Sequence, residues 1–123
     1  MWTNEQVDAL RVLADVYLQE DLPDQAVLVL EALQPERPEH APVLAALCYA
    51  YLLVGREPDT LRLADQYLTL AESADLPTAP IWLLRSRAAW ALGRADEALS
   101  CFARYQALAG HNDDSGSAEE TEG

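Results

Sequence analysis

The stretch WLLRSRAAWALGRADEALSCF, Trp82 to Phe102, carries apolar residues at helical spacing on both sides of Leu92-Gly93-Arg94. That pattern predicts two short helices joined at a glycine turn. The same alternation of apolar helix and brief polar break runs back to the N-terminus. It predicts six helices, at about 4–20, 24–34, 42–54, 59–73, 79–92 and 95–109, and therefore an all-α fold. Thr3 with Gln6 has the form of a capping box and opens the first helix. Pro23 suits the start of the second.

The breaks recur with a period. When Ala79 is taken as the first position of a 34-residue unit, Gly93 falls in the turn, and Ala98 and Phe102 follow with the spacing A-x-x-x-F. These features resemble the tetratricopeptide repeat, in which a small residue lets the second helix approach the first and the aromatic fills the space beyond. From Ala41 the same frame places Leu44, Leu47 and Tyr51 in a first helix, Gly55 in the turn, and Thr60 and Ala64 in a second. From Val7 it places Leu10, Leu13, Ala14 and Tyr17, then Asp21 for the turn glycine, then Ala26 and Leu30, with Pro38 closing the unit. Three copies result, at 7–40, 41–74 and 79–112, with the insert Asp75 to Thr78 between the last two. The expected architecture is three tetratricopeptide-like helix–turn–helix repeats in a right-handed superhelix, over residues 1–112. Residues 113–123 hold no apolar side chain larger than Ala and are expected to be a disordered acidic tail.

The frame also sorts the first-helix residues into two sets. One packs within the stack: Leu10, Leu13, Ala14 and Tyr17; Leu44, Leu47, Cys48 and Tyr51; Trp82, Ser86 and Ala89. The other lines the concave side: Val12, Asp15, Leu18 and Gln19; Ala45, Ala46, Tyr49, Leu52 and Leu53; Leu83, Leu84, Arg87 and Trp90. A solvent-facing set would be polar, yet copies two and three are largely apolar on both sets. Leu52, Leu53, Tyr49, Leu83, Leu84 and Trp90 are expected to form a continuous apolar trough, which marks a binding site. Its width suits an amphipathic helix anchored at i, i+3/i+4 and i+7. Arg87 would meet a partner carboxylate and Asp15 a partner base. The last helix, with Leu99, Phe102 and Leu108, is expected to keep an uncovered flank, because nothing after residue 112 can form the polar cap that usually ends such arrays.

Charge narrows the choice of partner. Asp and Glu number 21 against eight basic residues, a formal net charge of −13, and every basic residue is Arg. Nucleic acid and anionic membrane are therefore poor partners. The uncharged run Ala41 to Gly55 is too short to span a bilayer comfortably, and no export signal is visible at the N-terminus. Cys48 and Cys101 lie inside helical patterns and read as reduced, buried thiols of a cytosolic protein. His40 and His111 have no ligand spacing around them, so no metal is expected. Without Lys there is no phosphate-loop lysine and no Schiff base; neither a catalytic residue nor a cofactor is expected. The trough has Arg87 but no Lys or Asn, which disfavours the tetratricopeptide class that grips the C-terminal carboxylates of heat-shock chaperones.

The whole domain resembles the YscY family of type III secretion chaperones. The residues that carry the resemblance are Trp82-Leu83 with Ser86-Arg87-Ala88, Gly93, Tyr105 with Leu108, and His111-Asn112. LPDQAVLVLEAL and Pro38-Glu39-His40 of the first copy add to it. The resemblance implies a small cytoplasmic bacterial protein. It implies a heterodimer with a YscX-like secreted export component, whose helices lie in the trough, and engagement of the export-gate protein by the pair. The acidic extension after Asn112 departs from the family pattern. Two other readings stay open: a co-chaperone of needle or translocator subunits in the same secretion systems, and a self-associating scaffold whose trough pairs two copies.

Overall fold

The computed structural model describes the backbone of residues 2–122 and the side chains of residues 2–110. The expectation of disorder over 113–123 lies outside the residues whose side chains are described. Six helices occur among the described residues, with no strand: α1 (Asn4–Gln19), α2 (Pro23–Leu33), α3 (Ala41–Leu53), α4 (Glu57–Ala74), α5 (Ala79–Ala91) and α6 (Ala95–Glu122). The chain is all-α, as its periodicity predicts.

Local chemistry starts each helix. Thr3 closes the predicted capping box, its hydroxyl accepting from the Gln6 N–H at 3.1 Å while its own N–H donates to Gln6 Oε1 at 2.9 Å. Helices α2 to α5 each carry a proline in the first two positions, where the missing N–H costs nothing. His40 caps α3, its Nδ1 accepting from the Val43 N–H at 3.3 Å. Sequence spacing around His40 carried no hint of this role, because imidazole is an uncommon cap.

Three turns repeat in register. Asp21, Gly55 and Gly93 have φ of 62°, 80° and 77°. Each turn brings a later N–H back to the helix: Leu22 to the Tyr17 carbonyl at 2.8 Å, Arg56 to Tyr51 at 2.8 Å, and Arg94 to Ala89 at 2.9 Å. This is the Schellman closure, and it needs a left-handed residue at its corner. Glycine meets that need in two turns; in the first it is met by Asp, one of the few other residues that tolerate it.

Close approach within each hairpin rests on one pair of small residues. Ala14 and Ala26 have no exposed surface. At the equivalent pair, Thr60 Oγ1 donates to the Cys48 carbonyl at 3.3 Å and Cys48 Sγ to the Thr60 carbonyl at 3.4 Å. At the third, Ser86 Oγ donates to the Ala98 carbonyl at 2.9 Å. Burial pushes the Cys48 thiol up to about 12, with a smaller push from the charge of Asp65. Neither cysteine is bonded to another, and both are buried.

Hairpins then pack on one another. Helix α3 lies on α2 and α5 on α4, while α1 touches α3 and α3 touches α5. Among the described residues, α2 does not reach α4, nor α4 reach α6. The odd helices therefore share one face and the even helices stand apart on the other. Polar ties cross each junction. Tyr51 donates to Glu31 at 2.6 Å, under Arg56, which pairs with Glu31 at 3.2 Å and lies 4.4 Å from the Tyr51 ring centre. Asp65 takes the place of Glu31 in the next copy and receives Arg85 at 3.0 Å. The insert is anchored rather than loose: Asp75 ends α4 at φ 54°, and Tyr67 donates to the Pro77 carbonyl at 2.8 Å.

Two placements differ from expectation. Leu13, expected inside the stack, is 38% exposed, because among the described residues no hairpin packs on that side of α1. Trp82 is only half buried, with the guanidinium groups of Arg85 and Arg104 5.7 and 4.7 Å from its ring centre.

Two outcomes follow. Ala26→Leu overfills the first hairpin crossing and lowers stability by about 1–3 kcal/mol, read as a shift in urea midpoint at unchanged slope. Stability also falls as pH rises from about 9 to 12. Burial first, then the Glu31 hydrogen bond, push the Tyr51 hydroxyl up to about 12. In the unfolded chain a tyrosine ionises near 10 and a thiol near 8.5. The folded state thus holds protons that the unfolded state has released, and that contribution disappears as pH rises toward 12. Tyr51→Phe should flatten the part of the loss above about pH 10; an unchanged alkaline profile would place that loss elsewhere.

Candidate binding groove

The shared face of the odd helices is a groove of about 510 Å³. Asp15, Leu18 and Gln19 of α1 form one side, Ala45, Ala46 and Tyr49 of α3 the centre, and Pro80, Ile81, Leu83, Leu84 and Arg87 of α5 the other. Among the described residues, no even helix contributes. Residues four apart on a helix share a face, so the frame that placed Asp15 and Gln19 together, and Ala45 and Tyr49, also placed Leu83 and Arg87.

Of the predicted partner-binding residues, Asp15, Leu18, Tyr49, Leu83, Leu84 and Arg87 are brought together here. Val12, Leu52, Leu53 and Trp90 are not among its lining residues. Val12 and Leu53 are exposed, and Leu52 is half buried against the core. Leu84 corrects the expectation in another way. It is only 9% exposed and belongs to the core, so it forms the groove's floor rather than an open anchor. The signal was present in the sequence: Ile81, Leu84 and Ala88 repeat at i, i+3, i+7, one face of one helix, and Leu83 points about 100° away from it. Pro80 and Ile81, inside the predicted fifth helix, fall in neither set of first-helix residues, yet both line the groove.

Trp90 opens instead onto a second cleft of about 390 Å³ between α5 and α6, lined by Leu83, Ser86, Arg87, Trp90, Ala91, Ala98, Leu99 and Phe102. Leu83 and Arg87 border both spaces. Trp90 is 65% exposed and Leu99 60%. The expected uncovered flank of the last helix is thus present at Leu99 and Phe102; Leu108 is half buried.

Polar groups in the groove are few. Asp15 already pairs with Arg11 of its own helix at 3.3 Å, so it is not held in reserve for a partner base. Arg87 is exposed and has no carboxylate partner among the described residues, in a chain where acids outnumber bases by 21 to eight. An arginine that finds no acid in so acidic a chain offers its guanidinium outward. Among the described residues, no group of three or more His, Cys, Asp or Glu is placed to hold a metal ion. No described helix is long and apolar enough to cross a membrane.

Compared with known proteins, the chain matches no family model and no curated protein.

The groove's floor and wall separate by stability. Leu84→Asp buries a carboxylate and costs about 3 kcal/mol or more, whereas Tyr49→Asp on the exposed wall changes stability by less than about 1 kcal/mol. Chemical denaturation of the two variants checks this; equal costs would mean that Leu84 is as open as Tyr49.

Proposed function

We propose that this chain is a tetratricopeptide-type binding protein that holds an amphipathic helix of a client in the groove formed by α1, α3 and α5. The observation that carries the reading is the groove itself. Among the described residues it is a largely apolar channel lined from α1, α3 and α5, with Arg87, which has no carboxylate partner among them, at its edge. The repeat frame supports the tetratricopeptide assignment. Turn corners at Asp21, Gly55 and Gly93, and crossings at Ala14/Ala26, Cys48/Thr60 and Ser86/Ala98, keep the 34-residue register once the four-residue insert is allowed for. Among the described residues, contacts between odd helices without contacts between even ones suit a right-handed superhelix, concave on the odd side.

The client class we favour is a small secreted component of a type III export apparatus, as the YscY resemblance implies. In that reading the pair forms a cytoplasmic heterodimer and then engages the export gate. Apolar anchors of such a client would seat on Leu18, Tyr49 and Leu83, and a client carboxylate would meet Arg87. Each buried aliphatic or aromatic anchor contributes roughly 1.5–3 kcal/mol of transfer free energy. Covering those anchors keeps a helix with an exposed apolar face from aggregating before export.

The test is co-purification from the native host with Tyr49→Asp and Leu83→Asp variants. A small helical protein that is itself secreted should accompany the parent chain. Each variant should weaken capture by roughly tenfold to hundredfold, the equivalent of one lost anchor, while far-ultraviolet circular dichroism stays unchanged. Undiminished capture by both variants would remove the groove from the account.

A further inference from the structure

Both ends of the helical stack are unfinished, and they are unfinished in complementary ways. In copy two, Val43, Leu47 and Ala50 of α3 are buried where α3 packs on the first hairpin. In copy three, Ile81, Leu84 and Ala88 of α5 are buried where α5 packs on the second. The corresponding residues of α1 are Ala9, Val12, Leu13 and Val16, and all four are exposed. At the other end the pattern inverts. Val27 and Leu30 of α2 are buried beneath α3, and Leu61 and Ala64 of α4 beneath α5. Their counterparts on α6 are Leu99 and Phe102, 60% and 38% exposed. The cleft bordered by Leu83, Trp90, Leu99 and Phe102 is therefore the seat that each earlier hairpin offers to the next odd helix, and it stands open.

We infer that a second copy of this chain fills that seat: α1 of one copy docks on α5 and α6 of another, head to tail, as α3 docks on α1 and α2 within the chain. The chain already makes this junction twice, and its own α1 is apolar at the corresponding positions: Ala9 where α3 and α5 have Val43 and Ile81, Val12 and Leu13 in the middle, and Val16 where they have Ala50 and Ala88, so the bulk lies at the other end of the face. Charge agrees as well. Within the chain, Tyr49 shares the groove with Pro80 and Ile81. Shifted by one copy, Arg87 takes the place of Tyr49, and the neighbour's Asp8 and Ala9 take the places of Pro80 and Ile81. Arg87 has no carboxylate partner and Asp8 no cation among the described residues, so the junction would join the two. Such a contact is heterologous: it leaves one seat and one α1 face free, so it extends rather than closes. It lengthens the groove without blocking it, because Ala45 and Tyr49 line the groove even with α5 docked beside them. Net charge of −13 on each copy opposes the contact at low salt and opposes it far less at about 1 M salt, where the Debye length is about 3 Å.

The experiment uses the purified full chain alone, with light scattering and sedimentation equilibrium over a concentration series at high salt. The parent chain should rise above the one-chain mass as concentration increases. A seat variant, Leu99→Glu with Phe102→Glu, and an α1 variant, Leu13→Glu with Val16→Glu, should each lose that rise. All four positions are exposed, and unchanged circular dichroism would show that both variants fold. Mixed, they should form a 1:1 dimer and nothing larger, since the mixture restores one intact seat and one intact α1 face. Arg87→Asp or Asp8→Arg alone should weaken the parent's association, and the double variant should recover it. A parent chain that stays at one-chain mass throughout, a mixture that stays monomeric, or a single variant that still dimerises would each overturn the proposal. Because no client is present, none of these outcomes depends on the client reading.

Discussion

The helix crossing within each hairpin is the contact on which the rest of the molecule depends. Ala14 against Ala26, Cys48 against Thr60 and Ser86 against Ala98 let two backbones come close enough for Ser86 and Thr60 to bond the opposite carbonyl. Once that distance is set, the odd helix of each hairpin is pressed against the next hairpin. Residues such as Leu47 and Ile81 are then driven out of water. A larger side chain at any of these six positions would separate the pair and misalign the groove wall that the odd helix carries. The groove is therefore a consequence of packing several ångströms behind it.

The same geometry divides the apolar residues into three groups with different fates. Leu44, Leu47, Ile81 and Leu84 are consumed by the stack and stabilise it. Leu18, Tyr49 and Leu83 lie on the shared odd-helix face and line the groove. Leu13, Val16, Leu99 and Phe102 stand at the two ends, at positions the middle of the chain buries. This third group arises because each inner hairpin packs on a neighbour on both sides, whereas the first and last hairpins each pack on one among the described residues. Arg87 stands where the second and third groups meet, bordering both the groove and the open seat.

Acidity shapes the rest. Most arginines are spent inside the molecule: Arg56 joins Glu31 and Asp59, Arg85 joins Asp65 and Glu97, and Arg11 joins Asp15. Exposed pairs of this kind contribute little stability each. Those between hairpins, such as Arg56 with Glu31, fix the register of one repeat on the next, which is the property the groove needs. The excess of carboxylates elsewhere leaves a strongly anionic surface around an apolar channel.

Helix number, the capping box, the turn corners and the small crossing residues were legible in the sequence. Each follows from chemistry within a few residues: a hydroxyl and an amide three apart, a left-handed corner that suits Gly or Asp, an apolar period of 3.6. The repeat frame extended that local information over 34 residues, and Asp15, Leu18, Tyr49, Leu83 and Arg87, which it put on one side, line one groove. Only the tertiary structure decided the fate of residues on the boundary between faces. Leu84 sank into the core, and Trp90 turned toward α6 rather than the groove, because about 100° separates neighbouring side chains on a helix and the packing of the next hairpin determines which side is covered. Leu13 and Leu47 occupy the same repeat position and differ in burial for one reason: a hairpin lies in front of Leu47, and among the described residues none lies in front of Leu13.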